Sequence, residues 1–208
     1  MTPKIRSFSG AALMLVIIPI IAGLLACMPV PIGDPERSRV DPELNGVWAL
    51  TEDSDDSVYY LFRPYDKRTW LVITVEDSRS DSPEIGVHKA WLKKLGGEQF
   101  MTWEQAGGIK DDGSFHSQYW FVFRLEKNET NHISLHMLDY EFGGFEGIPE
   151  PDDYEGDYVD DMRGRFERVI RKHVDDEDMY GDVLMLRRLT GDELAEASDR
   201  FQEVIAFD

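Results

Sequence analysis

The chain has 208 residues, with 41 acidic against 22 basic side chains for a net charge of −19, and a single cysteine. That balance excludes a nucleic-acid binder, which needs a basic face, and disfavours close contact with anionic headgroups. One cysteine excludes an internal disulfide, so any fold must be held by packing alone.

Residues 1–9 carry Lys4 and Arg6 and no acid, and residues 10–26 ("GAALMLVIIPIIAGLLA") form an apolar run. A basic head before an apolar body is the layout of an export signal. The run approaches the length of a membrane span, about 20 apolar residues. Against a span, Pro19 interrupts it, small residues cluster at its end, and no basic stop-transfer cluster follows.

The closing residues Leu24, Leu25, Ala26 and Cys27 resemble the lipobox of bacterial lipoproteins. The resemblance implies that residues 1–26 are a lipoprotein signal peptide, that cleavage falls before Cys27, and that this cysteine is the lipidation site. Leu25 departs mildly, standing where a smaller or β-branched residue is commoner. Two or three acyl chains would anchor the protein stably on a membrane, where one would not. The same resemblance implies a bacterial cell-envelope protein, lipid-anchored and facing the periplasm. Met28 stands where an aspartate would retain some lipoproteins at the inner membrane, which favours the outer one.

Residues 27–45 then read as the lipidated cysteine and a Pro-rich tether. Pro29, Pro31, Pro35 and Pro42 are four of the ten prolines, with charges between them. Such a composition reads as an extended spacer lifting a domain off the bilayer. The folded unit is expected over residues 46–208.

From Gly46 onward, short alternating runs rich in β-branched and aromatic residues recur at regular spacing, as in an antiparallel barrel or sandwich. They are "GVWALTE", "SVYYLFRP", "TWLVITVED", "GVHKAWLKKL", "QFMTWEQ", "SQYWFVFRLE", "HISLHMLDY" and "DVLMLRRL". In the sixth, Tyr119, Phe121, Phe123 and Leu125 share one face and Trp120, Val122 and Arg124 the other, so this strand is expected to be packed on both sides. Before the last strand, Val159, Met162, Phe166, Val169 and Ile170 repeat at helical spacing, with acids at the start and Arg171 and Lys172 at the end. A C-terminal helix places Leu194, Ala197, Phe201, Val204 and Ile205 on one face behind a Thr190/Glu193 capping box.

A meander of about eight strands, Gly46-Val47-Trp48 on the first, Arg187 or Arg188 on the last and a helix after it together resemble the lipocalin-like barrels. The helix before the last strand departs from that family's usual order. The resemblance implies a mainly β antiparallel meander barrel whose narrow end is closed by Trp48, with the late arginine packed across it. An all-β sandwich with two appended helices is the other architecture. In a barrel that carries a small apolar ligand or lipid, Trp48, Tyr60, Phe62, Leu71 and Ile73 are the expected lining. The alternative is that these side chains simply fill the barrel, which eight strands are just wide enough to permit.

Chemistry is sparse. No H-E-x-x-H, C-x-x-C, P-loop or G-x-S-x-G occurs, so a non-enzymatic protein without cofactor or metal is expected. Among His88, His116, His132, His136 and His173, only His132 and His136 share a strand face, at about 13 Å, too far apart for one ion. Residues 141–161 are acid-rich and lack Lys and Arg, with a spacing unlike an EF-hand loop. Their glycines and aromatics, including Phe142 and Phe145, suit a gate or a contact surface. The alternative function is therefore an envelope interaction protein with a packed barrel that docks a protein partner through this loop.

Overall fold

A computed structural model describes residues 28, 30–51, 57–77, 84–105, 119–128, 130–148 and 156–205. Eight antiparallel strands run in sequence order and close on themselves, the last pairing with the first. They are β1 (Gly46–Leu50), β2 (Ser57–Pro64), β3 (Trp70–Asp77), β4 (Glu84–Leu95), β5 (Glu98–Gln105), β6 (Tyr119–Lys127), β7 (His132–Leu138) and β8 (Tyr180–Arg188). Helix α1 (Gly156–Lys172) precedes β8, and α2 (Gly191–Ile205) follows it. The expected meander barrel with two helices is therefore the fold, and the sandwich is not.

Hairpin chemistry explains the register locally. Between β4 and β5 the chain turns on Gly96 and Gly97, both at positive φ (61° and 101°), a two-residue loop whose twist matches that of the strands. Between β6 and β7, Asn131 at φ 69° serves the same end, since asparagine tolerates the left-handed region better than most residues.

Closing the sheet gives every strand an inner and an outer face, and both are used. Inside, Trp48, Phe62, Trp70, Val72, Met101, Leu125 and Leu135 form one buried cluster. Outside β4, β5 and β6, Trp91, Phe100, Trp120 and Val122 pack beneath α1, whose Met162, Phe166 and Ile170 recur every fourth residue and are buried. The sixth strand is thus apolar on both faces because a helix layer covers its outside. A smaller cluster joins Val47 and Ala49 of β1 to Leu189, Leu194 and Ala197 at the start of α2.

The expected tether is corrected. Met28, Val30 and Ile32 are at most 1% exposed and lie in the cluster with Trp91, Phe166 and Ile170. The backbone N–H of Met28 donates to Trp120 O (2.7 Å), on a stretch of β6 that extends beyond its pairing with β7. Further on, Ile32 O accepts from Trp91 Nε1 (2.6 Å) and Thr102 Oγ1 (3.0 Å). Ser38 Oγ accepts from Leu92 N (2.9 Å), where β4 has run past the end of β3. The prolines do not prevent this docking, because an added edge segment can omit donors at alternate positions. The folded unit accordingly includes residues 28–45.

Of the loop expected over 141–161, residues 149–155 lie outside the described residues, and Phe142 and Phe145 are packed against the fold. Phe145 is 4% exposed and tilts against the Phe166 ring at 4.6 Å, while Phe142 packs edge-on against Phe145 and His173. Among the described residues, no helix is long and apolar enough to cross a membrane.

Candidate ligand-binding site

The two ends of the barrel differ. At the end where β1 begins, Leu44 caps the interior and accepts a hydrogen bond from Trp48 Nε1 through its carbonyl (2.9 Å). The guanidinium of Arg188 lies over the Trp48 ring, 4.7 Å from its centroid, and donates to Glu43 O. The tryptophan closure implied by Gly46-Val47-Trp48 is in place, and of the two arginines Arg188 performs it. Arg187, one residue earlier, faces out and pairs with Glu193 of α2 at 2.8 Å. At this end the buried side chains of Leu44 and Trp48 fill the interior.

Toward the opposite end the interior opens into a cavity of about 480 Å³. That volume lies within the range of small-molecule pockets. Its walls are mainly apolar and aromatic, from Val58, Tyr60, Trp103, Phe121, Phe123 and Met137, with Thr74, Glu76, His88 and Gln105 as the polar points. Trp103 forms the floor. Its ring meets Phe123 at 4.8 Å and Tyr60 at 6.0 Å on the cavity side, and Phe62 of the packed half at 5.9 Å.

Of the five expected lining residues, the structure brings three inside. Trp48 and Phe62 belong to the packed half and Tyr60 to the cavity. Leu71 and Ile73 are corrected: β3 pairs Phe62 with Val72 and Tyr60 with Thr74, so Trp70, Val72, Thr74 and Glu76 face in. Leu71 and Ile73 stand on the outer face, opposite Lys89 and Val87 of β4. The strand "TWLVITVED" is apolar on both faces, so its alternation leaves the inward face open. Cys27 and His116 lie outside the described residues.

His88 is the least expected member of the site. It is 7% exposed, its ring packed between Trp103 (5.5 Å) and Phe121 (6.1 Å, edge-on). Its Nδ1 is buried with no hydrogen-bond partner among the described residues. Burial pushes its pKa below the usual histidine value, which keeps the ring neutral. Burial, with the charge of Glu76 adding, pushes the Tyr60 hydroxyl up to about 12.

Beside His88 the wall is closely packed. Gly86 has no positive φ and needs no glycine for its backbone, yet a Cβ there would sit 2.3 Å from Thr74 Oγ1 and 3.0 Å from His88 Nε2. The glycine lets the Thr74 hydroxyl and the His88 ring approach the β4 backbone more closely than a side chain would permit. The alternating Gly86, His88 and Ala90 of "GVHKAWLKKL" carry this signal, but the match to Thr74 exists only across the strand pair.

A second and larger concavity, about 850 Å³, lies at the closed end and is lined more by polar groups than the first. Lys127 at its edge is already held by Asp41 and Glu43, each at 2.6 Å. Among the described residues, no group of three His, Cys, Asp or Glu side chains converges as metal ligands would. Neither a family model, nor a curated protein, nor a solved structure matches the chain.

Proposed function

We propose that the protein is a non-enzymatic, lipid-anchored protein of the bacterial envelope whose lipocalin-like barrel takes up a small, mainly apolar ligand at its open end. The observation that carries this reading is the mainly apolar cavity of about 480 Å³ at the open end of the barrel, lined by inward-facing aromatic side chains. Anchoring rests on the lipobox resemblance around Cys27, with two or more acyl chains on its thiol and amine.

The docking of Met28 gives this anchor a direction. Only one peptide bond separates Cys27 from a residue bonded to Trp120, and Phe121, the next residue of β6, lines the cavity. An acylated Cys27 would hold the open end of the barrel toward the bilayer, where apolar ligands partition. In the alternative, a docking loop over residues 141–161, Phe145 is buried in the core and Phe142 packs against Phe145 and His173, so neither ring is free for a partner.

The test is native mass spectrometry of the full chain released from lipid nanodiscs. A bound small lipid, lost after solvent extraction, is expected. Protein that is empty under every gentle release condition would count decisively against a carrier.

A further inference from the structure

We infer that the cavity selects its ligand by charge: the occupant is a single-chain amphiphile with a cationic head, its tail lying against Trp103 and its head beside Glu76 at the mouth. This inference rests on the carrier reading and adds to it the chemistry the carrier selects.

Three observations converge on Glu76. Among the described lining residues it alone carries a charge at neutral pH, the rest of the wall being apolar, aromatic or neutral. No lysine or arginine is among them, and Lys89 of β4 stands with Leu71 on the outer face. Its place is the rim: it lies one residue from the end of β3, level with Val58 of β2 and with Glu84, the first residue of β4. Trp103 marks the floor, pairing with Ala90 at the level of Trp70, the other end of β3. The charge of Glu76 also reaches the interior, since it adds to burial in raising the pKa of the Tyr60 hydroxyl, itself 7% exposed.

Wall and rim select different parts of one ligand. Against Tyr60, Trp103 and Phe123 an alkyl tail exchanges water for apolar contact. Tail-first entry follows from where the charge sits. Glu76 is exposed, so a head beside it keeps part of its water, whereas a charged head on the Trp103 floor would lose nearly all of it. A cationic head gains the attraction of the Glu76 carboxylate, and the net charge of −19 raises the local concentration of cations at the mouth. An anionic head meets repulsion from the same carboxylate, with no cation among the described lining residues to answer it. A neutral head gains neither attraction.

The experiment uses decyl probes with a trimethylammonium, hydroxyl or sulfate head and a photoreactive group at the tail end. Each is added at equal mole fraction to zwitterionic nanodiscs holding the full chain, and cross-linked peptides are quantified by mass spectrometry. The ammonium probe is expected to label about tenfold more than the alcohol, an increment that one partly solvated charge pair supports, with the sulfate lowest. Tail-end labels should fall on β5 and β6, around Trp103 and Phe123. In Glu76→Gln, a change at an exposed rim position, the ammonium-to-alcohol ratio should fall toward one while alcohol labelling persists. In Glu76→Lys the sulfate should overtake the ammonium. Each ratio is compared with that of the unmutated chain, so differences in how the probes partition into the bilayer cancel. Added salt should shrink the ammonium's advantage, because the pair is open to screening. Equal labelling by the three probes, preference for the sulfate, or an ammonium preference that survives in Glu76→Gln overturns the charge selection and leaves the carrier reading standing. Tail-end labels on β3 beside Glu76 overturn the tail-first placement. No cavity labelling by any probe overturns the carrier reading itself.

Discussion

At the residue scale, His88 couples the cavity to the stability of the whole fold. Its native pKa lies below the unfolded value because burial penalises the imidazolium. Below the unfolded pKa, about 6.5, the unfolded chain binds a proton that the folded chain refuses, so stability falls as pH drops through that point. Above it both states are neutral and the group contributes no pH dependence. The other titratable groups described in the cavity wall are Glu76 on β3 and Tyr60 on β2. The Tyr60 hydroxyl, pushed up to about 12, stays neutral between pH 5.5 and 7 and adds nothing in this window. Thermal denaturation should therefore show Tm declining from pH 7 to pH 5.5, and His88→Phe should flatten that decline. A decline of equal size in the variant would mean that other histidines set the acid limb. Nothing in the sequence around residue 88 distinguishes this histidine from His132 or His136 on β7. Its role comes from Trp103 and Phe121, on two other strands, which no local pattern brings to it.

At the element scale, the strands were legible because each carries its own period-two pattern, and the helices because Met162, Phe166 and Ile170 or Leu194 and Ala197 recur at helical spacing. What alternation could not decide was which face of β3 looks inward. Its two faces are almost equally apolar, and the choice is made by pairing with β2 and β4, a contact between separate segments. The stretch before β1 was misread for a different reason. Prolines dominated its appearance, yet Met28, Val30 and Ile32 already alternate as a buried edge does, and that weaker signal proved to be the structural one. The energetic consequence is large. Ile32 is 0% exposed and its carbonyl bonds two barrel side chains, so Ile32→Ala should cost about 2–5 kcal/mol in denaturant unfolding. Arg39→Ala, at an exposed position of the same stretch, should stay within about 0.5 kcal/mol. Equal, near-zero effects at both positions are what a free spacer would give, and they would contradict the docked segment.

At the scale of the whole molecule, docking of the N-terminal stretch would turn the proposed anchor into an orientation. A flexible spacer of some 18 residues would let the barrel tumble over distances of about 20–25 Å. With Met28 pinned at β6, that freedom is gone, and acyl chains on Cys27 would emerge beside the cavity end. The two ends carry natural reporter positions: Ile85, 42% exposed, at the cavity end, and Tyr65, 68% exposed, in the turn after β2 at the closed end. A fluorophore placed at either position by unnatural amino-acid incorporation leaves Cys27 untouched. In vesicles containing spin-labelled lipid, acylated protein should show strong quenching of the probe at residue 85 and little at residue 65. Cys27→Ala should abolish both the quenching and the incorporation of labelled fatty acid. Incorporation of fatty acid with equal quenching at the two positions would keep the anchor and refute the orientation. Failure of the unmutated chain to incorporate it would refute the anchor, leaving the barrel and its cavity as they are.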